Sequence, residues 1–363
     1  MMIRCAMAIL IASALSTNGY KKKSLDYSGS ISAFIIGFLT FLFSYRFGLI
    51  LILFYYSSSK FTKFKQEYKA SIEEDYHIGG QRNWKQVLAS SLLATCIALI
   101  YFIICGEDQN ISFTSDNKII SNTSTPDDAV MSSDKNLITI LWKTISIHKH
   151  MINSYLWIIY IAHYATANAD TWSSELGVLS KSNPRLVTTL FFTEVPKGTN
   201  GGMSVVGTIA GAGGGLFIGF IYWFMSVNIY DVINLDVQAI VKVLVSQSPV
   251  LLYSLLCGVV GSLIDSILGA TLQVTYYSTE KKCIIKKYNP DNDGGTHNDD
   301  VIIISGIDVL SNEAVNLLSI LLTMILSIWL GPYIYCFQDK SHCNDTTSSL
   351  FSSLILNLIA LYK

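Results

Sequence analysis

A chain of 363 residues in which 14% are charged and 51% apolar, with mean hydropathy +0.42, is composed for lipid rather than water, since soluble domains carry roughly 25% charge. The net charge of −1 says nothing about partners, since in such a chain the distribution of charge between loops is what matters. No basic tract of the kind nucleic-acid binding needs is present, so no nucleic-acid partner is expected. The seven cysteines show no CxxC pair and no His at metal spacing, so they read as core filler; a Cys105–Cys343 pair facing an oxidising lumen is demanded by no spacing.

Residues 1–17 fit a secretory signal peptide or a first membrane helix, and Lys21, Lys22 and Lys23 directly behind them favour the uncleaved helix. The apolar run from Gly29 to Tyr56 exceeds the roughly 20 residues of one span and is interrupted at Arg46 and Gly48, which leaves one long helix or two short ones. Residues 57–85 carry Lys60, Lys63, Lys65, Lys69, Arg82 and Lys85 and are expected in the cytosol. A span at 86–105 leads to an acidic loop, 106–136, whose sequons at Asn110 and Asn122 point to the lumen.

An interfacial helix is expected at 137–150, then spans at 152–169, 203–227, 249–275, 313–337 and 348–362. Alternation from a cytosolic 57–85 places 170–202 and 276–312 in the cytosol and 338–347 in the lumen. Lys181, Arg185, Lys197, Lys281 and Lys282 on the inside and a third sequon at Asn344 outside agree with it. Residues 281–306, rich in Asn, Asp and Gly, are expected to be a mobile solvated linker. The whole is an all-α, polytopic integral membrane helix bundle of about seven to nine membrane helices, one membrane domain over 1–363.

Three stretches carry polar chemistry at membrane depth. His163, Ala167, Asp170, Ser174 and Gly177 share one helix face, with Asp170 at the cytosolic mouth and Glu175 turned away unless the helix ends there. A His on such a face is expected to be hydrogen-bonded rather than titrating. Asp265 lies about ten residues from its helix end, roughly 15 Å deep at 1.5 Å per residue, on a face shared with Gly258, Gly261 and Gly269. Asn312, Asn316 and Ser319 recur at i, i+4 and i+7 as a polar face at the start of the last long helix. Between them, Lys197, Gly198, Thr199, Gly201 and Gly202, with Ser204 at the next helix start, offer a cation, flexible amides and a helix N-terminus, the ingredients of a phosphate site. Gly207, Gly211, Gly215 and Gly219 form a GxxxG ladder, read as helix packing ahead of ligand contact.

The motifs KKKSLDYSG, SSSKFTKFK, GGQRNW, ADTWSSELGVLSKSNPRLVTT, VPKGTNGG, GSLIDSILGATLQ and GIDVLSNEAVN, in this order, resemble the transmembrane protein 19 family from Lys21 to about Trp329. That family is similar to plant phytyl-phosphate kinase and, more distantly, to CTP-dependent polyprenol kinases. Asp170, Ser174, Glu175 and Gly177 match one motif of those kinases, and Lys197, Thr199 and Gly201 another; Asn200 stands where they have Glu.

The resemblance implies a kinase passing a phosphoryl group from CTP or ATP to a membrane-embedded isoprenyl phosphate. Asp170 and Asp265 would hold Mg²⁺, Glu175 would assist, and Lys197 with the glycine loop would hold the nucleoside triphosphate. The Asn200 departure keeps open a non-catalytic transporter or lipid-binding protein built on the same scaffold. The expected location is the endoplasmic reticulum or another endomembrane, and with no plastid-type leader visible a plastid role is not expected.

Overall fold

The structure, a computed structural model, describes residues 2–72, 80–106, 109–112, 145–146, 148–190, 193–285 and 300–338. Asn122, Asn344, Cys343, the expected span at 348–362 and most of the acidic loop lie outside them.

Eight long helices run up and down: α1 (Met2–Lys21), α2 (Tyr27–Phe43), α3 (Tyr45–Lys63), α5 (Trp84–Ile104), α6 (Lys149–Gly177), α7 (Val205–Met225), α10 (Pro249–Leu272) and α11 (Asn312–Gln338). Short helices α4 (Gln66–Ala70), α8 (Ile229–Ile233) and α9 (Val237–Gln247) lie between them. Among the described residues five stretches are long and apolar enough to cross a membrane: α1, α5, α7, α11 and Val237–Leu272, which joins α9 to α10.

Local signals set the helix ends. Asp26 caps α2 by accepting from the Gly29 amide at 2.7 Å, Asn83 and Gln86 form a capping box on α5, and Pro249 opens α10. The Gly29–Tyr56 run is two helices. The break falls at Ser44, whose extended backbone ends α2 and whose side chain caps α3, rather than at Arg46 or Gly48. Arg46 instead points inward, 3% exposed, over the rings of Trp157 and Tyr222 and bonded to Asn110 at 2.9 Å.

Helix α6 is the axis of the bundle. From Leu156 to Ala169 every side chain but the half-buried Ile159 is buried, and Trp157, Tyr160 and Tyr164 pack on Phe47, Phe54, Tyr101 and Tyr222. Touching protein on all sides, this helix tolerates His163, Asn168 and Asp170 where a lipid-facing one would not. His163 is hydrogen-bonded as expected, its Nε2 lying 2.8 Å from Ser90 O.

The glycine ladder sits between α6 and α10. A Cβ at Gly214 would stand 3.0 Å from the Ala169 Cα, and one at Gly215 2.9 Å from the Gly258 Cα. It is a packing surface.

Two small antiparallel sheets accompany the expected helix bundle: β1 (Arg185–Leu186) with β2 (Gly202–Met203), and β3 (Thr275–Ser278) between β4 (Cys283–Ile285) and β5 (Val301–Ser305). The expected linker at 281–306 is thus sheet at both described ends, with 286–299 outside the described residues. Both sheets lie at the bundle end that also carries Lys21–Lys23 and residues 64–72 and 80–85, the basic face.

Candidate functional site: a carboxylate pair under basic loops

Asp170, on α6, and Asp265, on α10, meet near the basic face. Their carboxyl oxygens lie within hydrogen-bonding range of each other, and both residues are half-buried. Ser319 of α11 donates to Asp265 Oδ2 at 2.9 Å. One turn away, Ser173 and Ser262 are in contact at 3.1 Å, tying α6 to α10. Helix α6 continues straight to Gly177, so Ser174 and Glu175 are helical instead of belonging to a loop that begins at 170.

Close approach of the helices makes this meeting possible. A Cβ at Gly177 would lie 3.1 Å from the Gly207 Cα, and one at Gly211 3.3 Å from Ala169 O. Ser204 caps α7 by accepting from the Gly207 amide at 3.1 Å and donates to Gly177 O at 3.2 Å. Its hydroxyl therefore joins α7 to the end of α6.

Two cations from the 64–85 segment reach the same region. Lys69, 4% exposed, donates to Glu175 Oε2 at 2.6 Å and to the last carbonyls of α3, Phe61 O at 2.7 Å and Thr62 O at 3.1 Å. Arg82 is anchored by its backbone: its amide donates to Ser24 O at 3.0 Å and its carbonyl accepts from the Asp26 amide at 3.1 Å. Its guanidinium lies among Glu175 and Tyr55. Burial lowers its pKa from the usual value, and the attraction of those two groups opposes the shift. No described residue hydrogen-bonds this guanidinium. Neither Lys69 nor Arg82 was a sequence candidate; both lie in a stretch that reads as a solvated cytosolic loop.

The loop at 196–202 docks against α10 beside the pair. Gly201 has φ +74°, and a Cβ there would stand 2.6 Å from Ser266 O, so only glycine fits that turn. Three of the amides expected to face a phosphate are bonded internally: Thr199 N to Pro196 O (3.3 Å), Asn200 N to Thr275 Oγ1 (3.1 Å) and Gly202 N to Thr199 O (3.0 Å). The reason is the sheet at 275–305, which supplies Thr275. Asn200 also donates to Val274 O at 3.2 Å, a bond an ionised Glu cannot make. Gly198 has φ +89° at the outer end of the loop.

Lys197 donates to Tyr68 Oη at 2.8 Å and to Ser180 O, and pairs with no described carboxylate. It lines a polar cleft with Asn183, Glu194, Tyr277 and Lys282, which encloses about 810 Å³ with its open side included. Asn316 lies one turn before Ser319 and is half-buried; Asn312 is exposed.

Like charges held this close repel unless a proton or a cation lies between them. Mg²⁺ commonly takes one or two carboxylates and leaves its other positions to water and phosphate oxygens, and the Asp170, Asp265 and Ser319 oxygens fit that demand. Among the described residues no group of three or more His, Cys, Asp or Glu is placed to hold a metal.

At the opposite face Asn110 is committed. Its Oδ1 accepts from Arg46, and its Nδ2 donates to Ser226 O at 2.9 Å.

Fold and site define a multi-pass helical membrane protein with an acidic pair at one membrane face, overhung by basic segments. The chain belongs to the integral membrane protein family DUF92, whose model matches residues 10–324. It is 34% identical to Protein PGR of Arabidopsis thaliana over 332 residues, 92% of this chain and 98% of that protein. It is also 26% identical to an uncharacterized membrane protein of Methanocaldococcus jannaschii over 273 residues, 75% of this chain and 84% of the relative. No solved structure matches it. The family relationship expected from the motifs is borne out.

Proposed function

We propose that this protein is a metal-dependent phosphotransferase acting on a membrane-embedded isoprenyl monophosphate, with CTP or ATP as donor. The observation that carries the proposal is the meeting of Asp170 and Asp265 from two helices, with Lys69 and Arg82 brought to the same region. Phosphoryl transfer asks little covalent help of a protein; it needs charge neutralisation and positioning.

Asp170 and Asp265 would hold Mg²⁺, which when bound neutralises phosphate charge. Ser319 orients Asp265 through its hydroxyl, and Lys69 holds Glu175 in place. The cleft walled by Lys197, Lys282, Asn183 and Tyr277 offers two cations, an amide and a ring for the nucleotide. The 196–202 loop is shared structure: Lys197 forms part of the cleft wall, while Gly201 abuts the turn of α10 that follows Asp265. With the basic face cytosolic, as its lysines and arginines favour, soluble nucleotide meets the lipid at the membrane surface of the endoplasmic reticulum or another endomembrane.

A second reading, lipid binding or transport without catalysis, draws on Asn200, whose amide closes the loop onto Val274 and leaves no carboxylate at that position. Incubating detergent-purified protein with labelled CTP or ATP, Mg²⁺ and C10 to C20 prenyl monophosphates separates the two. We expect prenyl diphosphate and nucleoside diphosphate, with loss of product in D170N and D265N and chiefly weaker nucleotide binding in Lys197→Ala. A folded protein that yields no product with any donor and acceptor leaves the non-catalytic reading standing.

A further inference from the structure

Residues 109–112 have no regular structure, yet they lie inside the bundle at the face opposite the carboxylate pair. From Ser154, which they touch, to Asp170 is about 24 Å along α6 at 1.5 Å per residue. Ile111 is 2% exposed and belongs to the apolar cluster of Phe47, Trp157, Tyr222 and Val250. Irregular backbone packed into a membrane bundle persists only where protein groups satisfy it.

Side chains of four helices satisfy it here. The Gln109 amide donates to Tyr101 Oη of α5 at 3.1 Å, and the Ile111 amide to Tyr222 Oη of α7 at 2.9 Å. Asn110 O accepts from Asn153 Nδ2 of α6 at 3.1 Å, and Ile111 O from Gln247 Nε2 of α9 at 3.0 Å. Ser154 Oγ of α6 meets both the amide and the carbonyl of Ser112, at 2.8 and 2.7 Å. The Asn110 side chain adds a fifth helix, accepting from Arg46 of α3 while donating to Ser226 O just past α7. Arg46, Asn153, Ser154, Tyr222 and Gln247 are all buried, and lifting the segment out strips each of a partner, a costly loss at such sites.

We propose that residues 109–112 form a fixed plug that seals the bundle on this side, so that the carboxylate pair is reached from the basic face alone. A carrier that opens its site to each side in turn must part its helices at both faces. Here one short segment ties the ends of α3, α5, α6, α7 and α9 together, and they cannot part there unless its bonds break. The plug therefore favours chemistry at one membrane face over passage across it. It stands on its own contacts, whether or not the protein is a phosphotransferase.

The test is thiol access in membrane vesicles from cells expressing the full chain, its native cysteines replaced and one new cysteine placed at a time. A charged, membrane-impermeant maleimide is added before and after the membrane is permeabilised. Ser174→Cys and Ser112→Cys, both at exposed positions, define the two sides. We expect Asn316→Cys, beside the carboxylate pair, to react from the Ser174 side only, and Ile111→Cys to stay unlabelled from both sides until denaturant is added. Tyr222→Phe with Ser154→Ala removes the plug's bonds to α6 and α7 hydroxyls and should speed labelling of Ile111→Cys roughly tenfold or more, by local opening. Tyr222→Phe alone, which keeps the ring in the core, should give a smaller rise in the same direction. Saturating C20 prenyl phosphate should leave Ile111→Cys protected. Labelling of Ile111→Cys as fast as Ser112→Cys, no change in its rate in either variant, or reaction of Asn316→Cys from the Ser112 side overturns the proposal. A rise in Ile111→Cys labelling on adding the prenyl phosphate also overturns it, since the plug would then lift in a transport cycle. None of these readouts uses turnover, so a protein without kinase activity leaves the test intact.

Discussion

Gly261→Ala tests whether the carboxylate pair depends on helix contact. Gly261 lies one turn before Asp265 and Thr166 one turn before Asp170, so the two residues meet one turn further into the bundle than the pair. A Cβ at 261 would lie 2.8 Å from the Thr166 Cβ and closer still to both of that side chain's γ atoms, whereas ordinary contact begins at 3.4 Å. Thr166 is fully buried and its hydroxyl donates to Cys257 O at 3.4 Å, which leaves it little room to turn away. Helices α6 and α10 must therefore separate by about 1 Å, an overpacking strain of about 1–3 kcal/mol. Turnover under the proposed function is more sensitive than folding, since a displacement of about 1 Å costs on the order of 10²-fold in rate. Thermal unfolding in detergent and prenyl-phosphate turnover measure the two effects. Thr166→Ala in the same chain removes both γ contacts and should restore much of the melting temperature. Wild-type melting and turnover in Gly261→Ala, or a double variant no better than the single one, refutes the reasoning.

Lys69→Met removes the partner of Glu175 and uncaps two carbonyls of α3; it should destabilise by about 3–5 kcal/mol, the loss typical of breaking a buried pair, and Glu175→Gln added to it should recover part in thermal unfolding. A double variant as unstable as the two single losses combined would speak against the pairing. Asn110 should carry no glycan in folded protein because its amide nitrogen is bonded to Ser226 O, so glycosidase treatment of a chain with Asn110 as its only sequon should leave gel mobility unchanged. A mobility shift there would mean that the contact forms after modification or not at all. In a chain with Cys105 as its only cysteine, maleimide labelling at pH 7 should be slow until denaturant is added. Burial pushes that thiol up to about 11 against the opposing pull of Lys149, so thiolate appears only well above neutral pH. Fast labelling of native protein at pH 7 would place Cys105 in water.

The spans were legible because hydropathy reports lipid contact, and the long helices fall within a few residues of the expected positions except where a polar helix end continues past the apolar run. Asp170 and Asp265 were legible for the complementary reason: a carboxylate within a span is costly to keep, so one on a small-residue face stands out from its apolar neighbours as a functional group. Lys69 and Arg82 were not, because nothing in a run of lysines marks which one folds back under a helix end. Lys69 is distinguished by the two α3 carbonyls and the Glu175 carboxylate it reaches, and Arg82 by backbone bonds to Ser24 and Asp26, contacts made between segments far apart in the chain. The sheet at 275–305 was hidden by its own brevity. TYYS and VIIIS are too short to show a two-residue period, and the Asn- and Gly-rich stretch between them dominates any window.

The site divides the work between two kinds of structure. Its acidic half stands on α6 and α10, both of which pack on α7 through backbone contacts at Gly211, Gly214, Gly215 and Gly258. Such contacts have no side chains to repack, so the two carboxylates are held with little freedom, as the proposed metal shared with phosphate would require. Its basic half, Lys69, Arg82 and Lys197, comes from connecting segments, and Lys197 is held by one phenol and one carbonyl, bonds it can exchange for phosphate oxygens. Under the proposed function, changes in the connecting segments should therefore alter which lipid and nucleotide are held, whereas changes on the glycine faces should displace the carboxylate pair and strain the helix packing.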